Sequence, residues 1–484
     1  MEDNIIVAIE IGSSKVTGVV GHKLPDGGIQ VLALAQEPSS SFIRKGAIFN
    51  ADKATQCINN IISKLQKTLK RRIYKVYLGL GGKGIHTVKN TVTKELDTQT
   101  GITHELIDSL LDINRTTAMT DKEILDVVPQ EYKVGTQFET NPIGVLTDHI
   151  EGRFVNIVAR PQLSENMRHC FQTVDIVAQP ISALALADVL LTDTERRSGC
   201  VLLDMGAGTT TVAIFKSNIL RQLTVLPLGG ENLTKDIMTQ FSIEENEAEK
   251  LKIKHAVAYT PVEEIAKTAA EEIELEDERT IKAGLLNEIV EARTEEILRN
   301  VSHQIKKSGY TANQLLGGII VTGGASFLNG LDKAIREFTG FEKLRIARNI
   351  QVNVRMPQNQ EGRMKDGQLF TVLALLDKGT VNCCSDDLNQ PAATASLFGP
   401  GDENAHVPSG PSPAELARLK AQQEAQQKEA ERLKAEEEAR RLEEERIKQE
   451  KEAEKERRRA KRSQRWNKFT GWINNMLNDD DNER

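Results

Sequence analysis

Val7-Ala8-Ile9-Glu10-Ile11-Gly12-Ser13-Ser14-Lys15-Val16-Thr17 stands near the start of the chain, and Val201-Leu202-Leu203-Asp204-Met205-Gly206-Ala207-Gly208-Thr209-Thr210-Thr211 stands near its middle. Each is an apolar run, a carboxylate, a turn of small residues and a second β-prone run. Apolar, β-branched runs flanking a glycine-rich turn read as a β-hairpin. Glycine permits positive φ and lets a ligand come close to the backbone. Exposed turn N–H groups and Ser/Thr hydroxyls suit phosphate oxygens, and a carboxylate beside them suits a hydrated Mg²⁺. Two such hairpins, far apart in sequence, are expected to grip one nucleotide from opposite sides. Taken singly, each reads as an ordinary hairpin. Neither turn carries the G-x-x-x-x-G-K-[ST] of a P-loop or leads into an obvious helix, and a dinucleotide fingerprint fails on the same ground.

A third segment ties the two together. Gly317-Gly318-Ile319-Ile320-Val321-Thr322-Gly323-Gly324-Ala325-Ser326-Phe327-Leu328 reads as a buried strand ending in a double glycine, a backbone suited to lie flush against a flat adenosine. The three segments together resemble the two phosphate motifs and the adenosine motif of the actin/Hsp70/sugar-kinase superfamily.

Composition narrows the class. At 484 residues the chain exceeds one ordinary domain. Its 39% hydrophobic content allows real cores, and its net charge of −7 gives no general case for nucleic-acid binding. The cysteines Cys57, Cys170, Cys200, Cys383 and Cys384 lack metal-ligand spacing, and the histidines form no H-x-x-x-H pair. A reducing cytoplasm is expected. The acidic start Met1-Glu2-Asp3-Asn4 runs straight into the first motif, which argues against a signal peptide. No run approaches the roughly 20 apolar residues of a spanning helix.

Along the first 83 residues, Ile29 to Ala35 and Tyr74 to Leu80 read as strands. Lys53 to Leu69 reads as an amphipathic helix with Cys57, Ile58, Ile61, Ile62, Leu65 and Leu69 near helical spacing. Residues 84–164 read as a separate small α/β unit, with Thr103 capping a helix through Leu106, Ile107, Leu110 and Leu111. Within it, Ile124-Leu125-Asp126-Val127-Val128-Pro129-Gln130-Glu131-Tyr132 and Asn141-Pro142-Ile143-Gly144 resemble the inserted subdomain, called 1C, of the bacterial cell-division actin homologue FtsA. Downstream, Gln179-Pro180-Ile181-Ser182-Ala183-Leu184-Ala185 resembles that family's helix between the phosphate hairpins. Leu228-Gly229-Gly230-Glu231-Asn232-Leu233-Thr234-Lys235-Asp236-Ile237 resembles its GG-x-x-x-T-x-DI helix start. Ala248-Glu249-Lys250-Leu251-Lys252 resembles its adenosine-bordering A-E-x-x-K segment. Residues 288–297 resemble the helix opening the partner surface of its fourth subdomain. The resemblance covers roughly residues 5–385.

It implies an α/β, two-lobed actin-like ATPase fold, a duplicated ribonuclease H-like core with a 1C-type insert. The expected first lobe is 1–83 with 165–197 and 368–385, and the insert is 84–164. The second lobe is 198–240 with 309–367, and the fourth subdomain is 241–308. By motif position Gly12, Ser13, Ser14 and Lys15 hold one side of the phosphates, and Gly206, Gly208, Thr209 and Thr210 the other. Gly229, Gly230, Glu249, Lys252, Gly323, Gly324 and Ala325 surround the nucleoside. Asp204 and Glu10 meet Mg²⁺ through water, Glu10 standing where many relatives have Asp. Gln179 stands where several superfamily members carry the Glu that activates water. A glutamine orients water but cannot act as a base, so slow ATP hydrolysis is expected.

Beyond the core, residues 386–413 read as a Pro/Gly-rich flexible linker. Residues 414–462 are almost entirely Ala, Glu, Lys, Arg, Gln and Leu, with i,i+4 pairs such as Glu436/Arg440 and Glu444/Lys448. They read as a charged helix or tether, roughly 70 Å long if fully helical. In residues 463–484, Trp466, Phe469, Trp472, Ile473, Met476 and Leu477 share one helical face behind a basic run from Arg457 to Lys468. That reads as an interfacial membrane helix. The resemblance then implies an ATP-binding protein at the cytoplasmic face of the inner membrane, at the division site. It would polymerise with itself, bind the FtsZ C-terminal peptide near Arg293, hold FtsZ to anionic lipids and recruit other division proteins. A sugar kinase of the superfamily would need a substrate aspartate that nothing singles out. An Hsp70-like chaperone would need a β-sandwich where the charged tail lies. A pilus-assembly relative shares the 1C-type insert and is the nearest competitor, with the tail arguing against it.

Overall fold

The structure is a computed structural model and describes residues 4–357 and 367–385. The residues read as linker, charged tether and membrane helix, Trp466 to Leu477 included, lie outside the described residues.

The chain opens with β1 (Ile6–Ile11), β2 (Lys15–Lys23) and β3 (Ile29–Pro38), an antiparallel meander in which Ile6 faces Gly21 and Ile11 faces Val16. A short hairpin of β4 (Ile43–Arg44) and β5 (Ala47–Ile48) follows, then α1 (Ala51–Leu69) and β6 (Lys75–Leu78). Asn50 caps α1 by accepting the Lys53 N–H. β1 is buried along nearly its whole length, Glu10 being the one position left half-buried. α1 packs so closely on β2 that a methyl at Gly18 would lie 2.6 Å from Ile61.

Next comes the insert: β7 (His86–Gly101), α2 (His104–Arg115) capped by Thr103, β8 (Glu123–Val134), β9 (Gln137–Glu139) and β10 (Leu146–Ala159). It has its own core of Val92, Ile102, Leu110, Tyr132, Val134, Ile150 and Phe154. Its sheet is nevertheless continuous with that of the second lobe, joined where His86 pairs with Thr224, so the unit is separate in core but not in sheet.

The first lobe resumes with α3 (Pro161–His169), β11 (Asp175–Ala178), α4 (Ser182–Leu190) and α5 (Asp193–Ser198). The second lobe repeats the opening meander as β12 (Cys200–Met205), β13 (Thr210–Lys216) and β14 (Ile219–Leu226). Then follow α6 (Gly230–Phe241), α7 (Glu245–Lys254), α8 (Val262–Ala270) and the hairpin of β15 (Glu272–Glu274) and β16 (Thr280–Lys282). The 25-residue α9 (Ala283–Lys307) leads to β17 (Gly318–Thr322), α10 (Leu331–Thr339), β18 (Leu344–Ile346), β19 (Val354–Arg355) and α11 (Phe370–Asp377).

Two sheets result, ordered β11-β6-β1-β2-β3-β19 and β18-β17-β12-β13-β14-β7-β10-β8-β9. Strand alternation sorts the second sheet between two cores. Val201, Leu203, Met205, Val212 and Ile214 face the helices of the second lobe, whereas Cys200, Leu202, Ala213 and Phe215 join the first core. One expected boundary moves. Residues 350–356 were placed in the second lobe, but β19 pairs in parallel with the outer edge of β3, and Ile350, Val352, Val354 and Met356 pack on the first core. All five cysteines are buried thiols without disulfides.

Candidate functional site

The two quoted segments form the same turn. Gly12 N–H donates to Lys15 O at 3.1 Å and Gly206 N–H to Thr209 O at 2.9 Å. A methyl at either glycine would crowd the carbonyl it bonds, at 2.7 Å from Lys15 O and 3.2 Å from Thr209 O. The registers match as well: Glu10 pairs with Thr17 and Asp204 with Thr211. Each hairpin therefore sets one carboxylate opposite one threonine. All four residues line a cavity of about 370 Å³ between the lobes.

The hairpin tips touch. Ser13 Oγ accepts the Gly46 N–H at 2.8 Å, and a methyl at Gly208 would lie 2.8 Å from Ser13 Cβ and 3.1 Å from Lys45 Cα. Lys45 and Gly46 both have positive φ, as the two-residue turn between β4 and β5 requires. Gly46 in turn packs on Gly82, where any side chain would overlap its carbonyl. Lys15 and Ser14 line the cavity, and Lys15 Nζ donates to Gln368 Oε1 from the turn before α11.

The carboxylates are recessed. Burial, then the Asp204 charge, push Glu10 up to about 7, against the opposing pull of Lys15. Burial alone pushes Asp204 up to about 6. Glu10 and Asp204 both line the cavity and repel each other there; among the described residues no cluster of three or more His, Cys, Asp or Glu could hold a metal.

The far wall is built by α6, α7 and the turn after β17. Lys252 Nζ donates to Glu249 Oε2 at 2.6 Å, Thr234 Oγ1 at 2.9 Å and Gly230 O at 3.2 Å, which fixes Glu249 and Lys252 at the rim. Gly323 has φ 88, and a methyl there would lie 2.5 Å from Asp204 Oδ1, so the turn needs glycine. Gly324 and Ala325 line the cavity, and at Gly324 a side chain would meet open space.

Not every residue singled out in the sequence faces the cavity. Thr210 is fully buried and donates to Leu228 O at 2.8 Å. Gly229 sits behind the wall, where a side chain would strike the Gly206 and Ala207 carbonyls. Those carbonyls accept the first amides of α6, Gly230 N–H at 3.0 Å and Glu231 N–H at 2.8 Å. Thr210 and Gly229 thus build the site without meeting its contents. Gln179 is also absent from the wall. Its Oε1 accepts Arg168 Nε at 2.8 Å, while the first turn of α4, Ile181-Ser182-Ala183, lines the cavity instead. Arg293 is already engaged: Nε and Nη2 bind both oxygens of Asp236 at 2.6 and 2.9 Å, and Nη1 bonds Glu296. Arg293 is therefore held in ion pairs within the protein, with its side chain 26% exposed.

Sequence reasoning missed Thr17, Thr211, Gly46, Ser182 and Gln368. The two threonines carried a signal, since each stands seven residues after its carboxylate in both copies. The others come from segments remote in sequence.

Comparison with known proteins fits this architecture. The family profile described as Cell division protein FtsA matches residues 201–374, and the SHS2 domain inserted in FTSA matches residues 82–158. The Porphyromonas gingivalis cell division protein FtsA is 30% identical over 344 residues, covering 70% of this chain and 71% of that protein. The chain belongs to the FtsA family of cell division proteins. The Neisseria meningitidis FtsA is 28% identical, over 78% of this chain and 90% of that one. The Escherichia coli K12 FtsA is 26% identical, over 68% and 80%. A solved PilM-PilN type IV pilus biogenesis complex matches with a TM-score of 0.52 at 15% identity, covering 77% of this chain and 97% of that one. That likeness concerns the fold alone. The fold is the two-lobed actin-like ATPase fold, and its insert is the FtsA-type SHS2 domain.

Proposed function

We propose that this FtsA-family protein binds ATP with Mg²⁺ between its lobes, assembles head to tail with copies of itself, and anchors FtsZ filaments to the inner membrane. The observation carrying the nucleotide reading is the matched pair of hairpins, whose turn amides, hydroxyls and opposed carboxylates close on one cavity. Turn N–H groups and Ser/Thr hydroxyls suit phosphate oxygens. The two carboxylates suit Mg²⁺, which keeps several waters and uses one or two protein oxygens. The cation would neutralise charge between Glu10, Asp204 and the phosphates. Lys15 would serve the same charge from the opposite side. The glycine turn at 323–325 and the Glu249/Lys252 rim would hold the nucleoside.

Slow turnover remains the expectation, and Gln179, bonded to Arg168, brings no base to the cavity. The water-positioning role first given to Gln179 passes to the first turn of α4, where Ser182 lines the cavity. The fourth subdomain would receive the acidic FtsZ tail, with Arg293 holding α9 to α6 through Asp236. The membrane part rests on the sequence of residues 463–484. Among the described residues no helix is long and apolar enough to cross a membrane; the one-sided apolar face from Trp466 to Leu477 suits interfacial attachment. Filament assembly would multiply weak single contacts through avidity.

Calorimetry with ATP, with and without Mg²⁺, tests the site. Co-sedimentation with FtsZ and with anionic liposomes tests the anchor. Deleting residues 463–484, or combining Trp466→Glu with Ile473→Glu, should release the protein from liposomes while leaving ATP binding intact. Liposome binding equal to the parent's in either variant would return the anchor to some other segment.

A further inference from the structure

The chain carries a net charge of −7, yet residues 53–75 hold seven cations and no carboxylate. Six of them, Lys64, Lys67, Lys70, Arg71, Arg72 and Lys75, crowd the end of α1 and the turn into β6. A cation in the last helical turn complements the helix dipole, and Lys67 does that, but Lys70, Arg71, Arg72 and Lys75 lie on or beyond the cap. Lys64, Lys67, Lys70 and Lys75 are exposed, and Arg72 stacks over Tyr74 at 5.3 Å. The described carboxylates facing the patch are Glu37 on β3, paired with Lys64 at 2.8 Å, and Asp175 on β11, in register with Lys75. Among the described residues, Lys67, Lys70 and Lys75 enter no ion pair.

A second observation concerns where the core ends. Ser385 N–H donates to Arg72 O at 3.1 Å, and Tyr74 N–H donates to Cys383 O at 3.0 Å. Ile73 bridges Cys384. Everything after residue 385, including the stretch that ends in the apolar face from Trp466 to Leu477, is therefore tethered at this basic corner of the first lobe.

We propose that the corner formed by Lys67, Lys70 and Lys75 is a second membrane contact, which lays the first lobe against anionic lipid headgroups once the C-terminal helix has inserted. The proposal rests on the reading of residues 463–484 as the anchor. Lysines are point charges on flexible stems, suited to laterally mobile headgroups rather than to one fixed bidentate partner. An exposed polybasic turn contributes most when a tether already holds it near the surface. The tether, leaving from the same corner, meets that condition. The contact would also fix which face of each subunit looks at the bilayer.

The test uses the full chain on vesicles of phosphatidylglycerol and phosphatidylethanolamine, with phosphatidylcholine vesicles as the neutral control. Arg71 and Arg72 stay unchanged, since the Arg72 guanidinium stacks over Tyr74 and its carbonyl accepts the Ser385 N–H. The combination Lys67→Gln, Lys70→Gln and Lys75→Gln should bind anionic vesicles roughly tenfold more weakly and lose part of the salt dependence. Each single change should cost roughly two- to fourfold, and the corresponding Lys→Arg set should bind like the parent. ATP affinity should stay unchanged throughout, which verifies the fold. Affinity within twofold of the parent would overturn the proposal and leave the anchor standing. Tighter vesicle binding by the Gln variant would overturn it in favour of an acidic protein segment held at the corner. If the variant with Trp466→Glu and Ile473→Glu binds like the parent, the anchor reading itself fails.

Discussion

Ser13 occupies the space that any side chain at residue 208 would need: a methyl placed on Gly208 overlaps Ser13 Oγ and approaches Ser13 Cβ to 2.8 Å. The first hairpin is thus in van der Waals contact with the second, and the Ser13 hydroxyl is further held by the Gly46 N–H. Gly208→Ala should force the lobes apart at the cavity. Overpacking of this kind costs about 1–3 kcal/mol. We expect a lower melting temperature and at least a tenfold loss of ATP affinity by calorimetry. Gly324→Ala, where a methyl meets open space, should leave the melting temperature unchanged. Equal behaviour of the two variants would show that the hairpins do not bear on each other.

The carboxylate pair predicts a pH effect with a definite sign. Glu10 sits at about 7 and Asp204 at about 6, above their ordinary values of 4.5 and 3.8. The folded state therefore binds these protons more tightly than the unfolded chain. Their destabilising effect is full above about pH 7 and is relieved as pH falls toward 4.5. Glu10→Gln should stabilise the protein without nucleotide or divalent cation by on the order of 2 kcal/mol at pH 8. The gain should shrink as the pH is lowered to 5, and Mg²⁺-dependent ATP binding should weaken. Denaturant titrations of both proteins across that range provide the measurement. A gain that does not change with pH would remove the electrostatic explanation.

Because Gln179 bonds Arg168 and does not line the cavity, Gln179→Ala should leave ATP affinity and the proposed slow turnover within about twofold. Ser182→Leu, placed in the first turn of α4, should lower turnover more than tenfold, since a 1 Å misplacement near the reacting groups can cost about a hundredfold. Single-turnover hydrolysis of both variants decides between the two positions. A large loss for Gln179→Ala alone would restore it to the reaction.

Arg293 and Asp236 join α9 to α6 by a bidentate ion pair whose side chains are 26% and 30% exposed. Arg293→Glu should destabilise the protein by about 1–3 kcal/mol, because it sets two carboxylates against each other. Combining it with Asp236→Arg should restore much of that loss. Binding of an FtsZ tail peptide by the swapped pair then reports on the surface alone. Recovery of both stability and peptide binding assigns Arg293 to architecture. Recovery of stability without binding assigns its charge to the peptide.

The sequence by itself determined the hairpins. Their turns close within four residues, through Gly12 to Lys15 and Gly206 to Thr209, so glycine placement and β-branched flanks suffice to write them twice. It also determined α1, whose apolar spacing and Asn50 cap are local, and the insert's α2, capped by Thr103. Only the tertiary structure decided which side chains share the cavity. Gly46 meets Ser13 across 33 positions, Lys15 meets Gln368 across 353, and Arg293 meets Asp236 across 57. Such pairings depend on how two sheets and their helices pack, and a side chain's own neighbours in sequence carry no trace of them. For the same reason Gln179 was legible as a residue type but not as a position: one turn of backbone before α4 aims it at Arg168, and Ser182, three residues later, reaches the cavity wall.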